Sequence, residues 1–316
     1  MRTAMVLTVT SFLSAGCMQG LEDEYRRAIP DQNELAIEVP GEGADAAAGS
    51  HEMAILGERA FLYQVTRDVS RIINGGVYLV LAILQDIVRH PATTIDEHHA
   101  VWGPWTGALS PLTYRFTVTK VDDDGNYEYV LEAKPKTEAD DSYAAILTGA
   151  AHVNGQDRGR GSFVVDADAM HALDEYEWPG SGVATVDYDV QAEPLTVNVG
   201  FENWTGGWHA PIDATYHYAE AADQSGEFSY DATADVDENF SALESLTVAS
   251  RWVAGGSGRS DASVTGGDVA PGVSVTATEC WDDVFGRTYW TDSMGIQQTE
   301  GEASACVFDS AAATGE

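Results

Sequence analysis

The stretch Val77–Val88, VYLVLAILQDIV, constrains this chain more than any other, because its eight large aliphatic side chains would point to every side of a helix. Asn74-Gly75-Gly76 interrupts the chain just before it, and His90-Pro91 stops it just after. The residue preceding a proline avoids helical geometry, so the helix ends there. The segment is too short and too interrupted to span a bilayer, so it is expected to be surrounded by protein. Burying those side chains would contribute about 15 kcal/mol before conformational entropy is subtracted. Upstream, Ile55, Leu56, Phe61, Leu62, Val65, Val69, Ile72 and Ile73 recur at three- and four-residue steps, opposite Arg59, Arg67, Asp68 and Arg71. Residues 51–91 therefore read as two helices, or as one broken at 74–76.

The concave partner that this helix requires follows at once. From Leu112 onward the pattern switches to period two, with Leu112, Tyr114, Phe116 and Val118 on one face and Thr113, Arg115, Thr117 and Thr119 on the other. Turn signals recur about every ten residues, as in Asp122-Asp123-Asp124-Gly125-Asn126. Such short connections favour antiparallel neighbours, giving an up-and-down meander of about twelve or thirteen strands. Open twisted sheets of that size tend to curl or close. The expected fold is mainly β: an antiparallel up-and-down curved sheet, or a wide β-barrel, wrapped around an N-terminal apolar helix. Residues 112–309 would form that meander, 92–111 a Trp-rich connecting loop, and 310–316 a disordered tail. A transmembrane barrel fits less well, because many alternate positions carry Asp, Glu, Thr or Arg, as at Asp187 and Asp189.

Charge bounds the partners. The chain has 51 acidic against 16 basic side chains, a formal charge of −35, and its only lysines are Lys120, Lys134 and Lys136. A field of that sign repels nucleic acid, so no nucleic-acid partner is expected. A solvated acidic surface is the simplest reading, and a cation-collecting one the sharper alternative.

The N-terminus carries an address. Arg2 precedes a short apolar run, Met5–Leu13, closed by Ser14-Ala15-Gly16-Cys17. A run of that length reads as an export signal. Its end resembles the lipobox of bacterial lipoproteins, although Leu13 stands four residues before the cysteine and the usual pattern places it three before. The resemblance implies removal of residues 1–16, lipidation of Cys17, and a membrane partner reached through that anchor. Met18 rather than aspartate after Cys17 favours the outer membrane. Residues 17–50 are acidic and small in composition and read as a flexible tether of roughly 33 residues, about 30 Å end to end, with Tyr25, Ile29, Leu35 and Ile37 available to dock. Of the three cysteines, the remaining pair, Cys280 and Cys306, is expected to form a disulfide in an oxidising compartment.

Candidate chemistry is sparse. Asp96-Glu97-His98-His99 is the densest cluster of metal or acid–base groups, yet HExxH and related zinc spacings are absent, so His98 and His99 are weak metal candidates. Asp235, Asp237 and Asn239 match the opening of a calcium loop, but Phe240 occupies the position that requires glycine. GxSxG, SxxK and GxxxxGK[ST] do not occur. Aromatic side chains at Trp204, Trp208, Trp281 and Trp290 are the candidate ligand contacts. No cofactor is implied.

The combination of signal, tether, apolar helix and meander loosely resembles cell-envelope lipoproteins with curved sheets, such as the carriers LolA and LolB, in architecture only. Three readings follow. The first is a non-catalytic envelope lipoprotein that binds an apolar ligand or lipid within its sheet, or an envelope protein. The second is a structural or surface-display lipoprotein without a small-molecule ligand. The third is a metal-dependent hydrolase built on His98 and His99.

Overall fold

The computed structural model describes residues 13–41, 55–154, 157–176, 178–205, 211–234 and 242–311. Two helices precede the sheet, α1 (Leu13–Arg26) and α2 (Phe61–Arg89). The strands follow in chain order: β1 (Thr94–Ile95), β2 (His99–Trp105), β3 (Leu112–Lys120), β4 (Asn126–Pro135), β5 (Ala144–Asn154), β6 (Asp157–Asp166), β7 (Ser181–Asp189) and β8 (Leu195–Thr205). They continue as β9 (Ile212–Glu220), β10 (Gly226–Ala234), β11 (Glu244–Trp252), β12 (Gly258–Gly266), β13 (Ser274–Trp281), β14 (Arg287–Asp292) and β15 (Glu300–Gly301). A short helix, α3 (Ala167–Leu173), lies between β6 and β7 and is capped by the Asp166 carboxylate, which accepts from Ala169 N.

Among the described residues, fifteen strands form one sheet in sequence order, each antiparallel to the next. The sheet is open, so the curved-sheet form of the expectation holds and the closed barrel does not. Its two edges are the two-residue strands β1 and β15. Edges that short leave little unpaired backbone for another chain to extend.

Register explains the two faces. One row runs Val118, Tyr129, Gly149, Phe163, Val186, Val199, Tyr216, Tyr230, Val248, Ala262 and Ala277, directly paired across β3 to β13. No member is charged, and this inner face belongs to one buried cluster with α2 and the N-terminal segment. Glycine at 149 is required there, since a Cβ would overlap the Tyr129 ring. The adjacent row, one residue along every strand, is Thr117, Val130, Thr148, Val164, Thr185, Gly200, Thr215, Asp231, Thr247, Ser263 and Thr276. A one-residue offset moves a side chain to the opposite face, so a greasy and a hydroxyl-rich surface are built from the same strands.

Four expectations need correction. The helix is continuous through Asn74-Gly75-Gly76. Asn74 is held by the segment alongside it: its Nδ2 donates to Ile37 O at 2.9 Å, and its Oδ1 accepts from Ile37 N at 2.8 Å. Nor is α2 surrounded: Leu62, Tyr63, Thr66, Ser70, Ile73, Val77, Leu81, Leu84 and Val88 are buried on one side, whereas Ile72, Tyr78, Leu79 and Ile83 are exposed. The described part of the segment read as a tether, up to residue 41, is largely packed, with Tyr25, Ala28, Ile29, Leu35, Ile37 and Val39 buried, and 42–50 lie outside the described residues. Gln85 Nε2 ties it to α2 through Pro30 O at 3.0 Å, and Tyr218 Oη ties it to the sheet through Glu38 N at 3.1 Å. Finally, the connecting loop at 92–111 contains β1 and β2, with Val101 paired to Thr117 of β3. In the tail, Ala311 N donates to Asp261 Oδ2 at 2.8 Å, and 312–316 lie outside the described residues.

Candidate functional site

Parity along the strands decides the fate of the aromatic candidates. Trp281 faces inward, buried against Tyr63 of α2 with ring centroids 5.6 Å apart, and its Nε1 donates to Gly256 O at 2.8 Å. Trp290 is also buried, beneath the Arg287 guanidinium at 4.5 Å, with Nε1 donating to Asp292 Oδ2 at 3.3 Å. Both are buried, which corrects their reading as ligand contacts: inward-facing strand positions turn the two rings away from solvent. Trp204 packs on Phe201 at 5.4 Å near the end of β8, away from the other two along the sheet, and Trp208 lies outside the described residues.

His98 closes the turn before β2 and His99 is the first residue of that strand; there Asp96 Oδ1 accepts from His98 N and His99 N and lies 3.1 Å from His99 Nδ1. Those backbone donors, with the two imidazoles, hold the Asp96 carboxyl below the usual aspartate range. His152 is directed elsewhere, with Nδ1 3.0 Å from Asn126 Oδ1. Among the described residues, no group of three or more His, Cys, Asp or Glu side chains converges as metal ligands would. Asp235 and Asp237 lie outside those residues. The Asp122–Asn126 turn is closed internally: Asp122 Oδ1 accepts from Asp124 N and Asn126 N, and Gly125 adopts a φ of +88°.

Cys280 and Cys306 are bonded across 26 residues. Cys280 faces outward on β13, so the disulfide fastens the C-terminal segment to the outer surface. That segment continues over β11 and β12, where Phe308 receives the Arg251 guanidinium at 4.7 Å. Arg259 bridges Asp261 and Phe308 O there. Burial raises the Asp261 carboxyl, but Arg259, Thr278 and Ala311 N outweigh it and hold the group low.

The most distinctive polar arrangement was not anticipated. Glu279, fully buried on β13, accepts from Phe61 N at 2.9 Å and from Leu62 N, the first two backbone donors of α2. Arg287 Nε donates to the same carboxylate at 2.6 Å. A carboxylate at a helix start satisfies orphan N–H groups and opposes the positive end of the dipole. Burial nevertheless pushes Glu279 above the usual glutamate value, opposed by Arg287 and the two backbone donors. The signal was available in the inward parity of Glu279, between Ala277 and Trp281, where an apolar residue belongs. The cluster is sealed from solvent and forms the socket in which α2 begins.

No protein-family model, curated protein or solved structure matches this chain. The chain's own surfaces are its distinguishing features.

The broadest such surface is the outer face of β3 to β13. Beside the threonine-rich row runs a second: Thr119, Glu128, Ala150, Ser162, Asp187, Asn198, His217, Ser229, Ala249, Asp261 and Thr278. Eleven strands at about 4.8 Å spacing give this face an arc of roughly 50 Å. Its side chains are short, so the pleats remain as open grooves. One of about 500 Å³ passes over His152, Arg160, Asp187 and Asn198, and another of about 290 Å³ over Asn198, Thr215, His217 and Asp231. Cross-strand bonds order it: His217 Nδ1 lies 2.7 Å from Asn198 Oδ1, and Thr247 Oγ1 donates to Asp231 Oδ1 at 2.6 Å.

Proposed function

We propose that this chain is a non-catalytic, lipid-anchored cell-envelope protein that works as a structural or surface-display module, presenting its acidic, hydroxyl-rich β-face. The observation that carries this reading is the filled inner face. Tyr129, Tyr188, Val199, Phe228, Tyr230, Leu81 and Ile37 occupy the space in which a carrier would hold an apolar ligand. A lipid carrier keeps an apolar cavity; here the chain's own helix, N-terminal segment and aromatic rings take its place.

The anchor sits close to the body. If Cys17 is the mature N-terminus, only seven helical residues separate it from buried Tyr25, a rise of about 12 Å over the eight steps. The folded part then rides at the membrane surface, with an outer membrane location as the expectation.

The test is fractionation of cells expressing the full chain and its Cys17→Ala variant, with mass spectrometry of both. The wild type should partition with membranes and carry an acylated N-terminal cysteine, whereas the variant should be soluble with an unchanged fold. Neither should retain a stoichiometric lipid after delipidation. A lipid held in the interior of the soluble variant would return the carrier reading, and an unmodified Cys17 in the mature wild type would remove the anchor.

A further inference from the structure

The outward side of α2 is apolar, and its residues recur with a regularity that burial against the sheet does not explain. Asp68, Ile72, Gly75, Leu79, Ala82, Asp86 and Arg89 follow one another at alternating four- and three-residue steps. That spacing is the seam of a helix built to pack along a second helix. Ile72 is 73% exposed and Leu79 62%, while a Cβ on Gly75 or Gly76 would meet nothing within 4 Å. Two small residues, Gly75 four positions before the central Leu79 and Ala82 three after it, would let two backbones approach closely.

We propose that this seam pairs with the α2 seam of a second copy of the chain, antiparallel and related by a two-fold axis near Tyr78–Leu79. The charges at its ends select that partner. An antiparallel pair centred there sets Asp68 opposite Arg89 and Arg71 opposite Asp86, twice over by symmetry. Within one chain these residues already form i,i+3 pairs, Arg71 with Asp68 and Arg89 with Asp86, so each end of the dimer becomes a four-membered cluster of alternating sign. The outward charges of the helix cancel, Arg71 and Arg89 against Asp68 and Asp86, so the seam is a neutral strip on a chain of −35. Leu79 of each copy meets its counterpart at the centre, between the Gly75–Ala82 layers.

The test uses the full chain carrying Cys17→Ser, so that no lipid contributes and the outcome is independent of the anchor reading. Sedimentation equilibrium should give a concentration-dependent species of twice the 33.8 kDa chain mass. Leu79→Asp should leave a monomer with an unchanged circular-dichroism spectrum. Arg71→Glu, or Asp86→Arg, places like charges at both ends and should weaken association at least about tenfold. The double variant R71E/D86R sets two acids against two arginines at each end and should restore association. A monomer at every concentration overturns the proposal, as does a dimer indifferent to Leu79→Asp. Failure of the double variant to recover overturns the antiparallel register. If the monomer instead floats with phosphatidylcholine vesicles in a Leu79-dependent manner, the seam is a membrane face and self-pairing is wrong.

Discussion

Arg287→Met probes the socket that receives α2. The substitution keeps much of the stem over Trp290 but leaves the Glu279 carboxyl buried without its nearest cation. Breaking a buried ion pair from one side costs about 3–5 kcal/mol near neutrality, because the remaining charge is desolvated and uncompensated. The pH dependence has a definite sign. Burial already raises Glu279, and removing Arg287 removes the main opposition, so the folded state binds a proton more readily than the unfolded one. Stability of the variant is then fullest below the ordinary glutamate range and declines as pH rises through the elevated value. Adding Glu279→Gln deletes the stranded charge while retaining an acceptor for the α2 backbone, and should recover about 2 kcal/mol at neutral pH. The assay is urea unfolding of the three variants and the parent, followed by tryptophan fluorescence, in mildly acidic and mildly alkaline buffer. A loss below about 1 kcal/mol for Arg287→Met, or an equal loss at both pH values, would refute the reasoning.

Four further outcomes are expected. Opening the disulfide with Cys280→Ser and Cys306→Ser should lower stability by about 3 kcal/mol on the loop-entropy estimate, measured by the shift in urea midpoint. Gly149→Ala drives a methyl group into the Tyr129 ring and should cost about 1–3 kcal/mol, read in the same titration. Arg67 is buried 5.8 Å from the Tyr63 ring, and its Nε and Nη1 meet no hydrogen-bond partner among the described residues, so Arg67→Met should raise stability by about 1 kcal/mol; a clear loss would show that the guanidinium is held by something else. Asp96, Asp122, Asp223, Asp261 and Asp292 all have folded values below the ordinary aspartate range, so what they contribute is present above that range and lost as pH falls beneath it. Only Asp261 among them is shielded from solvent, so the thermal midpoint should fall as pH drops below the ordinary aspartate range, and fall less in Asp261→Asn.

The meander was legible because period-two alternation is local: Phe116 and Val118, or Tyr127 and Tyr129, announce their face without reference to the rest of the chain. The existence of α2 was equally plain, but its environment was not. A helix that is apolar all round looks the same in sequence whether it is enclosed or lies half bare, and only the alternating three- and four-residue steps of its outer seam carry the difference. The N-terminal segment was misread because acidic composition outweighed a few irregularly spaced apolar residues. Leu35, Ile37 and Val39 are buried by a tertiary groove that has no periodic signature. Trp281 and Trp290 show the opposite error: aromatic residues attract a functional reading, whereas their strand parity already pointed inward. Glu279 was passed over for the complementary reason, as one more acid in a chain rich in them.

The backbone donors that open α2 find their acceptor more than two hundred residues downstream, at Glu279. A chain that emerges from its N-terminus first must therefore carry its most apolar helix with an unfinished end until β13 has been delivered. Hairpins join only their neighbours in sequence, so the sheet can assemble stepwise behind the exit point while that helix waits. A truncation just ahead of β13 would yield a protein with β1 to β12 intact and its first long helix never seated.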